Sequence, residues 1–205
     1  MIDISDFIAS WNAYPFARHG LAPWQVTSRA AELIRQAAGE LGAGYSRDGD
    51  RAVHDTATVE PGAIIKGPAI LGPGSFVAAG AYLRGGVFLG EGCIVGPACE
   101  VKTTIMFAGS KVAHLSFVGD TIIGADVNIE AGAIVANYRN EMDDKRIRIW
   151  WRDSVLDTGV EKFGALIGDH ARIGANAVIA PGALIAPGFR LTRLGKVDQH
   201  PHPLD

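Results

Sequence analysis

The stretch VHDTATVEPGAIIKGPAILGPGSFVAAGAYLRGGVFLGEGCIVGPACEVKTTIMFAGSKVA, residues 53–113, decides how this chain folds. An aliphatic or near-aliphatic residue returns in it every six positions: Val53, Val59, Ile65, Leu71, Val77, Leu83, Leu89, Val95, Val101, Phe107 and Ala113. Four positions beyond most of the early ones stands a smaller residue, as at Ala57, Ala63, Ala69, Ser75, Ala81, Val87, Cys93 and Cys99. A six-residue period is the mark of a parallel β-helix. Each hexapeptide forms one flat face with its aliphatic side chain inside, the small residues permit tight corners, and three faces close a coil of 18 residues. Stacked coils pair as parallel strands and bury a continuous core that no single repeat could bury.

Working outward, the period is expected to hold through Ala113 and to slip after Val118, where Gly119 to Ile122 intervene before Ile123, Ile129 and Val135. A longer interruption is expected over residues 141–166, before Ile167, Ile173, Ile179 and Ile185 close the repeat. The hexapeptides predict an all-β chain whose β-helix occupies residues 51–190 in about six coils, with a polar, extended tail at 191–205. Residues 1–50 read differently. Phe7, Ile8 and Trp11 suit one face of a short helix capped by Ser5, and Ala30, Ile34, Ala37, Ala38 and Leu41 recur at helical spacing before Gly42 and Gly44. This segment is expected to be a helical cap over the end of the repeat, which terminal coils need for solubility.

Bulk properties exclude several classes of function. A formal charge of −3 over 205 residues lacks the basic surplus of a nucleic-acid binder. No uninterrupted apolar run is long enough to span a membrane. The N-terminal MIDISDFIASW has acids where a secretory signal carries basic residues, and two cysteines without such a signal suggest a reducing, cytoplasmic setting. Cys93 and Cys99 sit in the repeat itself, so packing rather than nucleophilic chemistry is the expectation for both. His200 and His202 fall in the tail without a third ligand, which argues against a metal site there.

The polar residues carry more information. Lys66, Arg84 and Lys102 each follow an inward aliphatic residue, point outward by strand alternation, and are spaced by 18. They should stand as a column of three cations on successive coils, which is costly unless an anion or nearby acids compensate. Glu100 could partner one of them. Splayed, solvated side chains are the alternative; a bound anion is favoured for Arg84 and Lys102, and the fork of an arginine suits a phosphate. His114 is read as an outward residue on a neighbouring face, beside the register break, where a histidine can serve as a general base.

At this point the residues resemble a known group, the left-handed parallel β-helix (hexapeptide-repeat) acyltransferases. Within it, residues 84–138 are similar to the C-terminal acetyltransferase domain of the bacterial bifunctional enzymes that make UDP-N-acetylglucosamine. The pattern there, an RPG turn, E-x-K, K-x-x-H-L-x-Y-x-G-D, V-N-I-G-A-G and N-Y-D-G, appears here as Arg84-Gly85-Gly86, Glu100-Val101-Lys102, Lys111 to Asp120, Val127 to Gly132 and Asn137-Tyr138. The resemblance implies a left-handed helix and a homotrimer with sites between subunits. It implies acetyl-CoA as co-substrate, no metal in the chemistry, and direct transfer to an amino-sugar phosphate such as glucosamine 1-phosphate. His114 is implied as the base, Asn137 as orienting His114 or the thioester, and Arg84 and Lys102 as the phosphate grip. Glu100, Phe117, Asn128 and Tyr138 are implied on the substrate side, and Ala131 and Ala175 in the acetyl-CoA groove.

Several positions depart from that pattern. Phe117 stands where the pattern has a tyrosine, Glu130 where it has a glycine, and Arg139-Asn140 where it has Asp-Gly, and residues 1–50 are expected to be a helical segment in the place of the nucleotidyltransferase domain. In the inserted segment Arg146 to Trp151 partly alternate, predicting a hairpin whose Ile147, Ile149 and Trp151 pack against the helix or a neighbouring subunit; a lid over the acetyl-CoA groove is the sharper alternative. The Thr158-Gly159 and Lys162 to Ala165 pattern resembles archaeal relatives. An acceptor that is a nucleotide-linked amino sugar or a hydroxyl, and a scaffold with a decayed site, remain alternatives. A carbonic-anhydrase-type zinc site needs three converging histidines, and His54 and His170 lie far from His114 in sequence.

Overall fold

The computed structural model describes residues 2–202. It is a parallel β-helix carrying a lateral cap. Its first face is a seven-stranded parallel sheet running from Thr58–Val59 through Lys111–Val112 and Asn128–Ile129 to Arg190–Leu191. The second face begins at Ile64–Ile65 and passes through Phe117–Gly119 and Ile134–Val135 to Lys196–Val197. The third runs from Arg51–His54 through Ile122–Ile123 and Ala165–Ile167 to Ala183–Ile185. Two long strands, Tyr82–Leu89 and Glu100–Met106, turn the corner from the second face to the third. With strands at 190–191 and 196–197 still in register, the β-helix runs past residue 190, and part of the expected tail is a further coil.

Early coils repeat at the predicted interval, with Val53 paired to Leu71 and Leu71 to Leu89. The register then departs from the expected ladder. Leu83 pairs with Val101, but Leu89 pairs with Met106, so one residue is lost at the corner after Lys102. The inward residues that follow are Met106 and Val112, not Phe107 and Ala113. Phe107 is buried in a second, outer core, and Ala113 is half-buried on the outside. The same corner is shortened again one coil later, between Val118 and Ile123. The small-residue positions behaved as expected: Ala69, Ala81, Val87, Cys93 and Cys99 line the inner core. Burial pushes the Cys93 thiol up to about 12 and raises that of Cys99. Both are free and inert as nucleophiles.

Residues 2–41 do not cover an end of the repeat. They cover its third face, for a reason visible in the strands. Ile70, Phe88, Ile105, Ile122, Leu166 and Leu184 stand in one register column pointing outward, and all are buried. Each such side chain gains about 1.5–3 kcal/mol from leaving water, so the face demands a partner. The partner is built from 3-10 turns at Ile4–Asp6, Trp11–Ala13 and Pro15–His19, followed by helices α1 (Pro23–Ser28) and α2 (Ala30–Gly39). The first turn is capped by Asp3, whose carboxylate accepts from the Ser5 amide at 2.9 Å, and not by Ser5. Helix α2 buries Ala30, Leu33, Ile34 and Ala37 at helical spacing. Phe7, Ile8, Trp11 and Phe16 join Phe88 and Phe107 in the outer core. The Asp169 carboxylate accepts from Ala9 N at 2.9 Å and Ala125 N at 2.7 Å, tying the cap to two coils. Between cap and β-helix, Tyr45–Asp48 pairs antiparallel with Arg51–His54.

Close approach of α2 depends on Gly86. Its φ is +100°, and an added Cβ would lie 2.8 Å from Ala31 N. Gly86→Ala is therefore expected to destabilise the fold by about 1–3 kcal/mol, read as a lower midpoint in thermal unfolding.

The inserted segment forms the predicted hairpin, Arg148–Trp151 with Ser154–Asp157. It packs on its own chain: Ile147 and Ile149 are fully buried in the outer core, and the Trp151 ring lies 5.9 Å from Phe7. The tail is docked rather than extended. Arg139, with its side chain only 2% exposed, bonds Asp198 at 2.5 Å and Pro181 O at 3.1 Å. Gln199 accepts from Leu184 N at 2.6 Å and its carbonyl from Trp150 N at 2.7 Å.

Candidate active site

Two groups of polar residues sit on opposite edges of the second face. The first lies at the corner where that face turns into the third. Arg84 and Lys102 pair in register, as the spacing by 18 predicted, and Lys66 precedes them one coil earlier. Their mutual repulsion is offset by acids of the same chain. Glu100 accepts from Arg84 Nε at 2.7 Å, and Asp120 accepts from Lys102 Nζ at 2.6 Å. Asp120 also accepts from the Asn137 amide. Lys66 and Arg84 flank the Tyr82 ring, 5.3 and 5.9 Å from its centroid. Arg84 and Lys102 are thus each compensated by an acid of the same chain.

Gly119 holds this group together, because it continues the column where a longer side chain would not fit. A Cβ there would meet Asn137 Cγ at 2.8 Å and the tip of the Phe117 ring at 2.9 Å. Phe117, Asn137, Asp120, Lys102, Arg84 and Glu100 thus share one edge. Tyr138 adjoins them at the root of the inserted segment, with Lys145 Nζ 5.6 Å from its ring centroid. Asp120 is the member to which no role had been given in the sequence. It is the hub, accepting from two side chains while its own backbone N–H donates to Lys102 O at 2.8 Å.

The second group lies at the corner between the first and second faces. His114 is exposed in the turn itself, not on a flat face as its spacing had suggested, because the lost residue shifts it there. Its carbonyl accepts from Gly132 N at 2.8 Å, and the Ala131 carbonyl accepts from Asn176 N at 2.9 Å. These bonds place His114, Ala131 and Ala175 on consecutive coils of one corner. Arg193 continues the line, since Leu194 N donates to Ala175 O at 2.9 Å. Asn128 is on the adjoining first face, between Lys111 and Arg172. It lines a groove of about 310 Å³ with Glu130, Arg172, Arg190 and Arg193. Glu130, where the related pattern has glycine, accepts from Ala175 N at 2.8 Å and Arg193 at 3.1 Å. The arginines of this groove had not been singled out, because each looks like an ordinary surface residue until the coils are stacked.

The two groups do not meet within one chain. The turn at His114-Leu115 and the strand Phe117–Gly119 lie between them, so they occupy opposite corners of the face. Asn137 is correspondingly committed to Asp120 and does not reach His114. Asn128 likewise stands apart from Arg84 and Lys102.

Comparison with known proteins bears on the same coils. The family model described as the GMPPB C-terminal domain matches residues 65–162. A bifunctional sugar-1-phosphate nucleotidylyltransferase/acetyltransferase from Sulfurisphaera tokodaii is 42% identical over 73 residues, 36% of this chain and 18% of that protein. The bifunctional protein GlmU of Methanococcus vannielii is 40% identical over 73 residues, 36% of this chain and 17% of its own length. The relatives are GlmU-type proteins. The match spans less than a fifth of either relative's length. Among solved structures, the acetyltransferase domain of PglB from Neisseria gonorrhoeae, in complex with acetyl coenzyme A, aligns over 85% of this chain and 71% of its own. Its TM-score is 0.44 at 23% identity.

Proposed function

We propose that this chain is an acetyl-CoA-dependent N-acetyltransferase acting on an amino-sugar phosphate. The observation that carries the reading is the single corner formed by His114, Ala131 and Ala175, opposite the Arg84–Lys102 edge of the same face. A thioester in the groove beside Ala131 and Ala175 would present its carbonyl near an exposed imidazole. The acceptor ammonium first gives one proton to water, and His114 takes a second from the neutral amine as it attacks the thioester carbonyl carbon. A C–N bond forms, the C–S bond breaks, and the proton on His114 passes to the departing thiolate. No acyl-enzyme is required, in keeping with two thiols buried in the core.

Since the two edges of one chain lie at opposite corners of the face, the reading includes a homotrimer in which one protomer's His114 corner meets another's Arg84–Lys102 edge. Both cations retain unused donors: Lys102 gives one N–H to Asp120, and Arg84 has a free arm beyond its contacts with Glu100. A phosphate could be held by these without dismantling either pair. A cytoplasmic place for such a reaction remains part of the proposal; among the described residues, no helix is long and apolar enough to cross a membrane.

A calorimetric titration with acetyl-CoA separates this reading from a scaffold with a decayed site. Saturable binding at or below millimolar ligand is expected. No heat of binding at millimolar acetyl-CoA would favour the scaffold.

A further inference from the structure

Beside the Asp120 hub is a cavity of about 490 Å³ whose walls come from three separate parts of the chain. The β-helix corner contributes Gly85, Thr103 and Asp120; the inserted segment contributes Glu161 and Lys162; and the lateral cap contributes Thr27 and Ser28 at the end of α1. The cap is held there firmly. Thr27 is fully buried and donates to Trp24 O at 3.2 Å, and Ala31 presses against Gly86, the residue after Gly85. Ser28 is exposed, donates to Gln25 O at 3.0 Å, and keeps its lone pairs for another donor.

The charges in this cavity describe its occupant. Asp120 is matched by Lys102. Glu161 and Lys162 are exposed neighbours that form no ion pair among the described residues. One unmatched carboxylate and one unmatched ammonium, beside a hydroxyl, suit a small zwitterion that also carries hydroxyl groups. We infer that the cap supplies one wall of the acceptor pocket, with Ser28 and Glu161 as specificity-determining residues for an aminated, phosphorylated monosaccharide. This rests on the acetyltransferase reading and deepens it: the segment that covers the third face also helps choose the acceptor.

The test is steady-state kinetics of the full chain with acetyl-CoA and glucosamine 1-phosphate, for Ser28→Trp and Glu161→Gln. Ser28→Trp should raise the acceptor KM roughly tenfold or more while kcat and the acetyl-CoA KM change less than about twofold, the signature of lost acceptor binding alone. Glu161→Gln, at an exposed position without a partner, should move the acceptor KM in the same direction and leave the thermal midpoint unchanged. An acceptor KM unaltered in both variants, in a protein that still turns over, overturns the inference and leaves the acetyltransferase reading standing. Should wild-type protein show no turnover, calorimetry with glucosamine 1-phosphate decides the pocket separately. Weaker binding to both variants supports it, and equal or absent binding overturns it.

Discussion

His114→Ala is expected to lower kcat about 100-fold or more, equivalent to about 2.7 kcal/mol of transition-state stabilisation. The imidazole sits in an exposed turn and makes no side-chain hydrogen bond among the described residues, so its loss should not disturb the fold. The column holding Ala131 and Ala175 is built by backbone bonds that alanine preserves. Affinity for acetyl-CoA should therefore persist while turnover collapses, and calorimetry on the variant separates the two. Turnover equal to that of the parent protein would remove His114 from the chemistry.

Asp198→Ala is expected to destabilise the protein by about 3–5 kcal/mol, the usual result of removing one partner from a buried ion pair. Arg139 would be left with its side chain 2% exposed, without its closest carboxylate, and with an Nε that already lacks a partner. Chemical denaturation measures the loss directly; a change under about 1 kcal/mol would mean that water replaces the carboxylate at no cost. Acid provides a second readout. Burial alone would raise the Asp198 pKa, but Arg139, the His200 amide and Lys196 outweigh it and hold the group below its ordinary 3.8. Because the folded value is the lower one, the pair's contribution is fully present above about pH 3.8 and is lost as pH falls through the depressed value. The parent should lose stability steeply in that acid range, and Asp198→Ala should lack this component.

The repeat was legible because Val53 to Val101 keep strict phase, and a parallel coil tolerates little else. Two features masked the next step. Phe107 and Ala113 are apolar at the six-residue positions, so the single residue dropped beside Thr103 left no polar intruder to betray it. Pairing shows that the corner had shortened and that Met106 and Val112 carry the core. The docking of the cap had a signal that went unused. Ile70-Leu71, Phe88-Leu89, Ile105-Met106, Ile122-Ile123, Leu166-Ile167 and Leu184-Ile185 keep two apolar residues side by side in coil after coil of one face, where the other faces are interrupted by polar residues such as Thr58, Glu100, Lys111 and Arg172. A strand apolar on both sides must be covered on both.

The site was legible in part. Spacing by 18 brought Arg84 to Lys102, and that prediction rests only on coil length. Charge compensation did not follow from it. Counting in 18s from Lys102 lands on Asp120, but as the next outward member of the column; the coil here is 17 residues long, so Gly119 takes that place and Asp120, one residue on, meets Lys102 at the corner. Arg139 and Asp198, 59 positions apart and joined through the docked tail, have no periodic relation at all. Glu130 looked like a defect in the related pattern; stacking turns it into a contact with Ala175 and Arg193 on the following coils.

The most direct test is release of free thiol from acetyl-CoA, followed with amino-sugar phosphates and nucleotide-linked amino sugars as acceptors. The account predicts acceptor-dependent thiol release with glucosamine 1-phosphate or a close analogue, one thiol for each N-acetylated product, and its loss in His114→Ala. Folded protein that releases no thiol above the acceptor-free rate with any of them would contradict it.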